Sequence, residues 1–124
     1  MYLIDSDILI DHLRQKTSIV SSLSQISTDL NLFHLSTLSE MEIWSGQSTK
    51  DLSIQKQITR LLSTFHKISP DSKICQLAGE LRRDLNLTPV DAIIAATAVV
   101  NNFILLTRNI KHYQSVKKIK IRRV

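Results

Sequence analysis

Leu3-Ile4 is a short apolar run closed by Asp5-Ser6-Asp7, and Ile8, Leu9, Ile10 and Leu13 beyond it recur at helical spacing. A buried strand therefore passes straight into a helix. Ile19, Val20, Leu23 and Ile26 form the apolar stripe of a second helix, and Leu32-Phe33-His34-Leu35 reads as the next strand. Thr37-Leu38-Ser39-Glu40 has the form of a capping box, with Thr37 as the cap and Glu40 folding back, so a helix starts here and reaches about Gly46. Trp44 on that helix reads as core. Ile54, Ile58, Leu61, Leu62 and Phe65 define a further amphipathic helix, and Ser69-Pro70-Asp71 starts another whose stripe is Ile74, Leu77, Ala78, Leu81 and Leu85, ending at Asn86. Thr88-Pro89-Val90-Asp91 opens a helix that is apolar on nearly every side and should be central. Phe103 to Thr107 is a continuous apolar strand, and Ile119 and Ile121 alternating with Lys118, Lys120 and Arg122 make a half-exposed edge strand after a short helix.

The predicted order is strand, two helices, strand, four helices, strand, short helix, strand. Helical connections between strands imply a mostly parallel sheet of about four to five short strands, covered on both faces: an α/β three-layer domain. No repeat or linker divides the 124 residues.

Composition narrows the class. The chain is 43% hydrophobic and 22% charged with two Gly and two Pro, which excludes collagen, low-complexity disorder and a glycine-rich phosphate loop. A single cysteine, Cys75, supplies neither an internal disulfide nor a thiolate metal cluster. Acids at Asp5, Asp7 and Asp11 argue against an export signal, and the most apolar stretch, 92–100, is about half the ~20 residues needed to span a bilayer. A cytoplasmic setting without membrane contact is expected.

Charge is divided along the chain. Residues 1–91 hold nine Lys and Arg against eleven Asp and Glu, whereas residues 92–124 hold seven bases and no acid. A basic end on an acid-bearing body suits a phosphate-chain ligand, although a solvated face has the same composition.

In open α/β sheets ligands bind at the carboxyl ends of the strands. Asp5 follows the first strand there, Glu42 lies in the helix after the second, Asp91 lies in the first turn of the helix before the third, and Thr107-Arg108-Asn109 follows the third. Carboxylates that converge repel one another unless a cation neutralises them, and hard oxygen ligands select Mg²⁺ or Mn²⁺. Each acid also has a local reading, since Asp5, Asp7 and Asp91 all stand where they can cap helices. Glu40 and Glu42 are about 200° apart around their helix, so with Glu40 in the capping box Glu42 is the acid without a local role. His12, His34, His66 and His112 lack metal-ligand spacing.

These residues match a known pattern. Tyr2-Leu3-Ile4-Asp5-Ser6-Asp7-Ile8-Leu9-Ile10, the stretch Leu35 to Gly46 around Glu42, Thr88 to Ala98 around Asp91, and Leu105 to Tyr113 resemble, in order and spacing, the four motifs of PIN-domain proteins, in particular VapC-type toxins. The resemblance covers residues 1–124 as a single PIN domain. It implies an endoribonuclease acting as the toxin of a toxin–antitoxin pair, usually dimeric and held inactive by a cognate antitoxin. Asp5, Glu42 and Asp91 would hold Mg²⁺ or Mn²⁺ for attack of water on an RNA phosphodiester, leaving a 5′-phosphate and a 3′-hydroxyl. Ser6 and Asp7 would support the site, as would Asn109, which with His112 stands where many members carry a fourth acid. Arg108, Lys111, Lys117, Lys118 and Lys120 would contact RNA phosphates. Two alternatives remain: a degenerate PIN module that binds RNA or a protein without cutting, and a phosphatase of the haloacid dehalogenase type, whose Asp-x-Asp motif Asp5-Ser6-Asp7 mimics.

Overall fold

A computed structural model describes residues 1–14 and 18–124. The strands are β1 (Tyr2–Ile4), β2 (Phe33–Ser36), β3 (His66–Ile68), β4 (Ile104–Thr107) and β5 (Lys120–Arg123). The helices are α1 (Ser6–Leu13), α2 (Ile19–Ser24), α3 (Thr37–Trp44), α4 (Leu52–Leu62), α5 (Ser72–Leu85), α6 (Pro89–Asn101) and α7 (Ile110–Tyr113). All strand pairs are parallel and the spatial order is β3-β2-β1-β4-β5, so the first strand of the chain lies at the centre.

Alternation along the central strands divides the core between the two faces of the sheet. Ile4 and Leu106 pack with Ile8, Leu9, Leu23, Ile58 and Leu62 from α1, α2 and α4. Their neighbours Leu3 and Leu105 pack on Ile94, Ala95 and Ala98 of α6 and on Tyr113 of α7. Burial on both faces explains why the central strands are continuous apolar runs. The alanines of α6 allow α5 to lie close against it, through Ile74, Ala78, Ala92 and Ala96. Helices α5 and α6 stop at Asn86 and Asn102, both in the left-handed region with φ of 56° and 55°, a conformation asparagine tolerates better than most residues. No described helix is long and apolar enough to cross a membrane.

Three expectations are corrected. Strand β3 stands where the sequence reads as helix running into loop. It is a three-residue edge strand of His66, Lys67 and Ile68, two of them exposed, so it carries no apolar run. The cap of α3 is Ser36, whose Oγ accepts from Leu38 N–H at 3.1 Å, and Thr37 is already helical. Glu40 is accordingly free of a capping box and pairs with Lys67 Nζ at 2.6 Å, tying α3 to β3. Trp44 is 38% exposed, because α3 turns Ser39 and Ile43 inward and leaves Met41 and Trp44 outside.

The corrected cap has a measurable consequence. Replacing Ser36 with Ala should lower unfolding stability by about 1 kcal/mol, the usual worth of an N-cap, whereas Thr37→Ala should stay within about 0.5 kcal/mol. Urea unfolding of the two variants checks this, and a larger loss for Thr37→Ala would restore the cap to Thr37.

Candidate active site at the carboxyl edge of the sheet

Parallel strands bring all their carboxyl ends to one edge. Asp5 leaves β1 there: its N–H still donates to Leu106 O at 2.9 Å, continuing the ladder, while its side chain caps α1 by accepting from Ser6 N–H at 2.9 Å. The other carboxylate oxygen accepts from Thr107 Oγ1, at the end of β4, at 2.8 Å. Asp5 is 5% exposed and Thr107 is fully buried. Burial, reinforced by the negative charges of Asp7 and Asp91, pushes the Asp5 carboxyl up to about 6 against the hydrogen bonds of Thr107 and Tyr113.

Glu42 reaches the same place from α3. Its Oε1 accepts from the Ser6 hydroxyl at 2.6 Å, so one serine joins Asp5 through its backbone and Glu42 through its side chain. Asp91 arrives in the first turn of α6. It does not cap that helix, since Thr88 Oγ1 takes the Asp91 N–H at 3.3 Å. The Asp91 carboxylate instead accepts from Tyr113 OH at 3.2 Å on one oxygen and faces His112 Nδ1 at 3.2 Å on the other. The Tyr113 ring is fully buried beneath the site and its hydroxyl also interacts with Asp5. Burial and the two nearby carboxylates hold its phenol well above the ordinary tyrosine range, so it stays a donor.

Asp7 braces the edge from α1. One oxygen accepts from Arg108 N–H at 3.0 Å and from Asn109 Nδ2 at 3.1 Å, and burial raises its pKa despite these bonds. The other oxygen is buried with no hydrogen-bond partner among the described residues. Asn109 N–H in turn donates to Thr107 Oγ1 at 3.0 Å. The Arg108 guanidinium forms an ion pair with Asp11, one turn beyond Asp7, and its Nε donates to Val124 O at 3.3 Å.

Asp5, Ser6, Asp7, Glu42, Asp91 and Asn109 thus converge, and Lys111 on α7 is exposed at the same edge. Lys117, Lys118 and Lys120 are not brought there. Lys120 is paired with Ile104 at the amino end of β4 and its Nζ bonds Asn102 Oδ1 at 3.0 Å, while Lys117 and Lys118 precede it, at the opposite edge of the sheet. Sequence reasoning gave no role to Thr107, Tyr113 or Asp11. Tyr113 lies in the core, and only the adjacency of α7 to α6 reveals where its hydroxyl lies.

The donor set fits a hard divalent cation in chemistry: carboxylates, hydroxyls and no thiolate, around a buried acid whose charge is unneutralised. Among the described residues, no three His, Cys, Asp or Glu side chains stand close enough together to hold a metal ion as they are placed. Glu42 is held on Ser6, and Asp91 on Tyr113 and His112.

Known proteins share the sequence pattern and the fold. Residues 2–118 match the family model described as PIN domain. Ribonuclease VapC10 of Mycobacterium tuberculosis is 32% identical over 125 residues, covering 97% of this chain and 91% of that protein. Ribonuclease VapC19 of the same organism is 29% identical over 119 residues, covering 91% and 92%. Among solved structures, VapBC2 from Rickettsia felis bound to a DNA fragment from its promoter superposes with a TM-score of 0.84 at 21% identity, covering 99% of this chain and 98% of that one. A toxin–antitoxin complex from Klebsiella pneumoniae gives 0.76 at 27% identity, covering 96% and 95%. With nearly its whole length matched by the family model and by VapC relatives, the chain belongs to the PIN-domain family, as a VapC-type member.

Proposed function

We propose that the chain, acting as one PIN domain over residues 1–124, is a divalent-metal-dependent endoribonuclease, the toxin of a toxin–antitoxin pair. The observation that carries this reading is the buried Asp5 carboxylate, held by Thr107 and Ser6 beside Glu42 and Asp91. So costly a charge is explained by a positively charged ligand and a negatively charged substrate. The antitoxin partner is supported by the VapBC and toxin–antitoxin complexes that share the fold, and RNA as substrate by the ribonuclease relatives. Self-association as a dimer and a cytoplasmic location follow from the family resemblance.

Asp5, Glu42 and Asp91 would hold Mg²⁺ or Mn²⁺. When bound, such an ion lowers the pKa of water and neutralises phosphate charge. The chain's own residues fix the carboxylates. Thr107 and the Ser6 amide restrain both oxygens of Asp5, so that side chain is set before any ligand arrives. Tyr113, remaining protonated, and His112 restrain Asp91 in the same way. Asp7 bonds the Arg108 amide and Asn109, locking the turn after β4 onto α1. Asn109 therefore supports the site through Asp7. Lys111 stands where it can meet an RNA phosphate.

Asp5→Asn, Glu42→Gln and Asp91→Asn should each cut RNA at least a hundredfold more slowly with Mg²⁺ or Mn²⁺, about 2.7 kcal/mol of barrier, while remaining folded. Glu40→Gln, which loses only the partly exposed pair with Lys67, should keep wild-type cleavage. Gel assays on bulk RNA with and without EDTA decide it. Wild-type protein that binds RNA but never cuts it would leave a binding module in place of the nuclease.

Asp5 also sets a pH dependence. Its folded pKa of about 6 lies above the ordinary 3.8, so the folded chain holds this proton more tightly than the unfolded chain. In EDTA, stability should therefore be lost as pH rises from about 4 through about 6, by up to about 3 kcal/mol from this group. Asp5→Asn should flatten that fall and melt higher than wild type at pH 8. Saturating Mn²⁺ should raise the melting temperature of the wild type at pH 8, much less at pH 5, and not at all in the variant. Equal melting curves for both proteins in EDTA across this range would remove Asp5 as the strained charge.

A further inference from the structure

A cavity of about 630 Å³ opens between α2 and the end of β5, walled by Ser18, Ser22 and Gln25 on one side and by Arg108, Arg122 and Arg123 on the other. No Asp or Glu is among its described lining residues. Asp11 lies behind it and is ion-paired with Arg108. Arg122 and Arg123 are exposed and have no ion-pair partner among the described residues. Arg122 and Arg123 thus bring two unneutralised positive charges beside the paired Arg108, and an anion with several oxygens can neutralise them. Ser18 Oγ accepts from Ser21 N–H at 3.4 Å, which leaves its own hydroxyl proton available to such an anion.

Strand register fixes where the cavity lies. Leu106 pairs with Arg122 and Thr107 with Arg123, so both arginines emerge at the edge that carries Asp5. Strand β4 lies between β1 and β5, which sets Arg123 about two strand spacings, ~10 Å, from the end of β1. The lysines of the basic end leave at the other edge.

We infer that this cavity is a phosphate subsite of the RNA channel, in which Arg122 and Arg123, with the Ser18 hydroxyl, hold a backbone phosphate neighbouring the one at the carboxylates. The inference rests on the nuclease reading and replaces Lys117, Lys118 and Lys120 as the origin of RNA affinity in the basic end. An RNA strand is favoured over an acidic polypeptide because its phosphates repeat along the backbone, so one strand can set a phosphate at the carboxylates and another in the cavity on the same sheet edge.

The test is binding of a fluorescein-labelled, mixed-sequence, single-stranded RNA in EDTA across a KCl series. It compares the wild type with the Arg122→Gln/Arg123→Gln and the Lys117→Gln/Lys118→Gln/Lys120→Gln variants. Removing two phosphate-neutralising charges should weaken binding about tenfold and reduce the slope of log K against log[salt] by about 1.4, since each contact on a single strand contributes about 0.7. Arg122→Lys/Arg123→Lys should recover the slope, and the triple lysine variant should lie within twofold of the wild type. Unchanged affinity and slope in the double glutamine variant, or loss confined to the lysine variant, overturns the inference. So does a labelled polyglutamate peptide whose binding needs the two arginines while RNA binding does not. Cleavage of the same RNA by the wild type with Mg²⁺ is scored separately. Arginine-dependent binding without cleavage defeats the nuclease reading and keeps the subsite.

Discussion

Everything at the carboxyl edge follows from one burial: the Asp5 carboxylate at the end of the central strand. A negative charge there loses most of its hydration, and Asp7 and Asp91 add repulsion, so the fold must surround it with donors. Thr107 and the first amide of α1 supply them directly, and Tyr113 reaches it from α7. The α1 amide is local to Asp5, whereas Thr107 and Tyr113 come from the far end of the chain, so the site ties the two ends together. The site is also a local debit, because the same contacts that restrain the carboxylate keep it from water. Such an arrangement sacrifices stability in the unliganded chain for a pre-set site.

Arg108 performs the complementary task. By pairing with Asp11 and bonding the Val124 carbonyl, while its amide bonds Asp7, it joins α1, the turn after β4 and the end of β5. Its charge is thus partly engaged within the protein. Arg122 and Arg123 retain theirs, and this division could not be read from a count of bases.

Much of the architecture was legible in the sequence because burial on both faces of a parallel sheet imposes apolar runs, as at Leu3-Ile4 and Leu105-Leu106, and α6 announces its central place by lacking a polar side. Asp5 and Asp91 were legible as acids at a strand end and a helix start, whereas Glu42 was singled out through a capping box that Glu40 does not form. Strand β3 was not, since an exposed edge strand of His66 and Lys67 needs no hydrophobic pattern. The cap of α3 was misplaced by one residue because Ser36 and Thr37 are equally good caps, and only backbone geometry separates them. Thr107 and Tyr113 escaped because their value lies in hydroxyl groups whose partners are set by tertiary contact. The position of the lysines was hidden for a different reason: composition shows that the end is basic, but strand direction decides which edge each base occupies.

The centre of the sheet pairs Tyr2 with Ile104, and Thr107 meets Asp5 across 102 positions of sequence. Closing so long a loop carries a large entropic cost before any contact rewards it, and folds rich in such pairings assemble slowly. Ribosomal synthesis runs from the amino end, so a nascent chain presents Asp5 and Glu42 long before β4 and α7 exist to hold them. The acids of this edge are therefore held in place only once β4 and α7 have joined the sheet, and a fragment that ends before β4 lacks Thr107 and Tyr113.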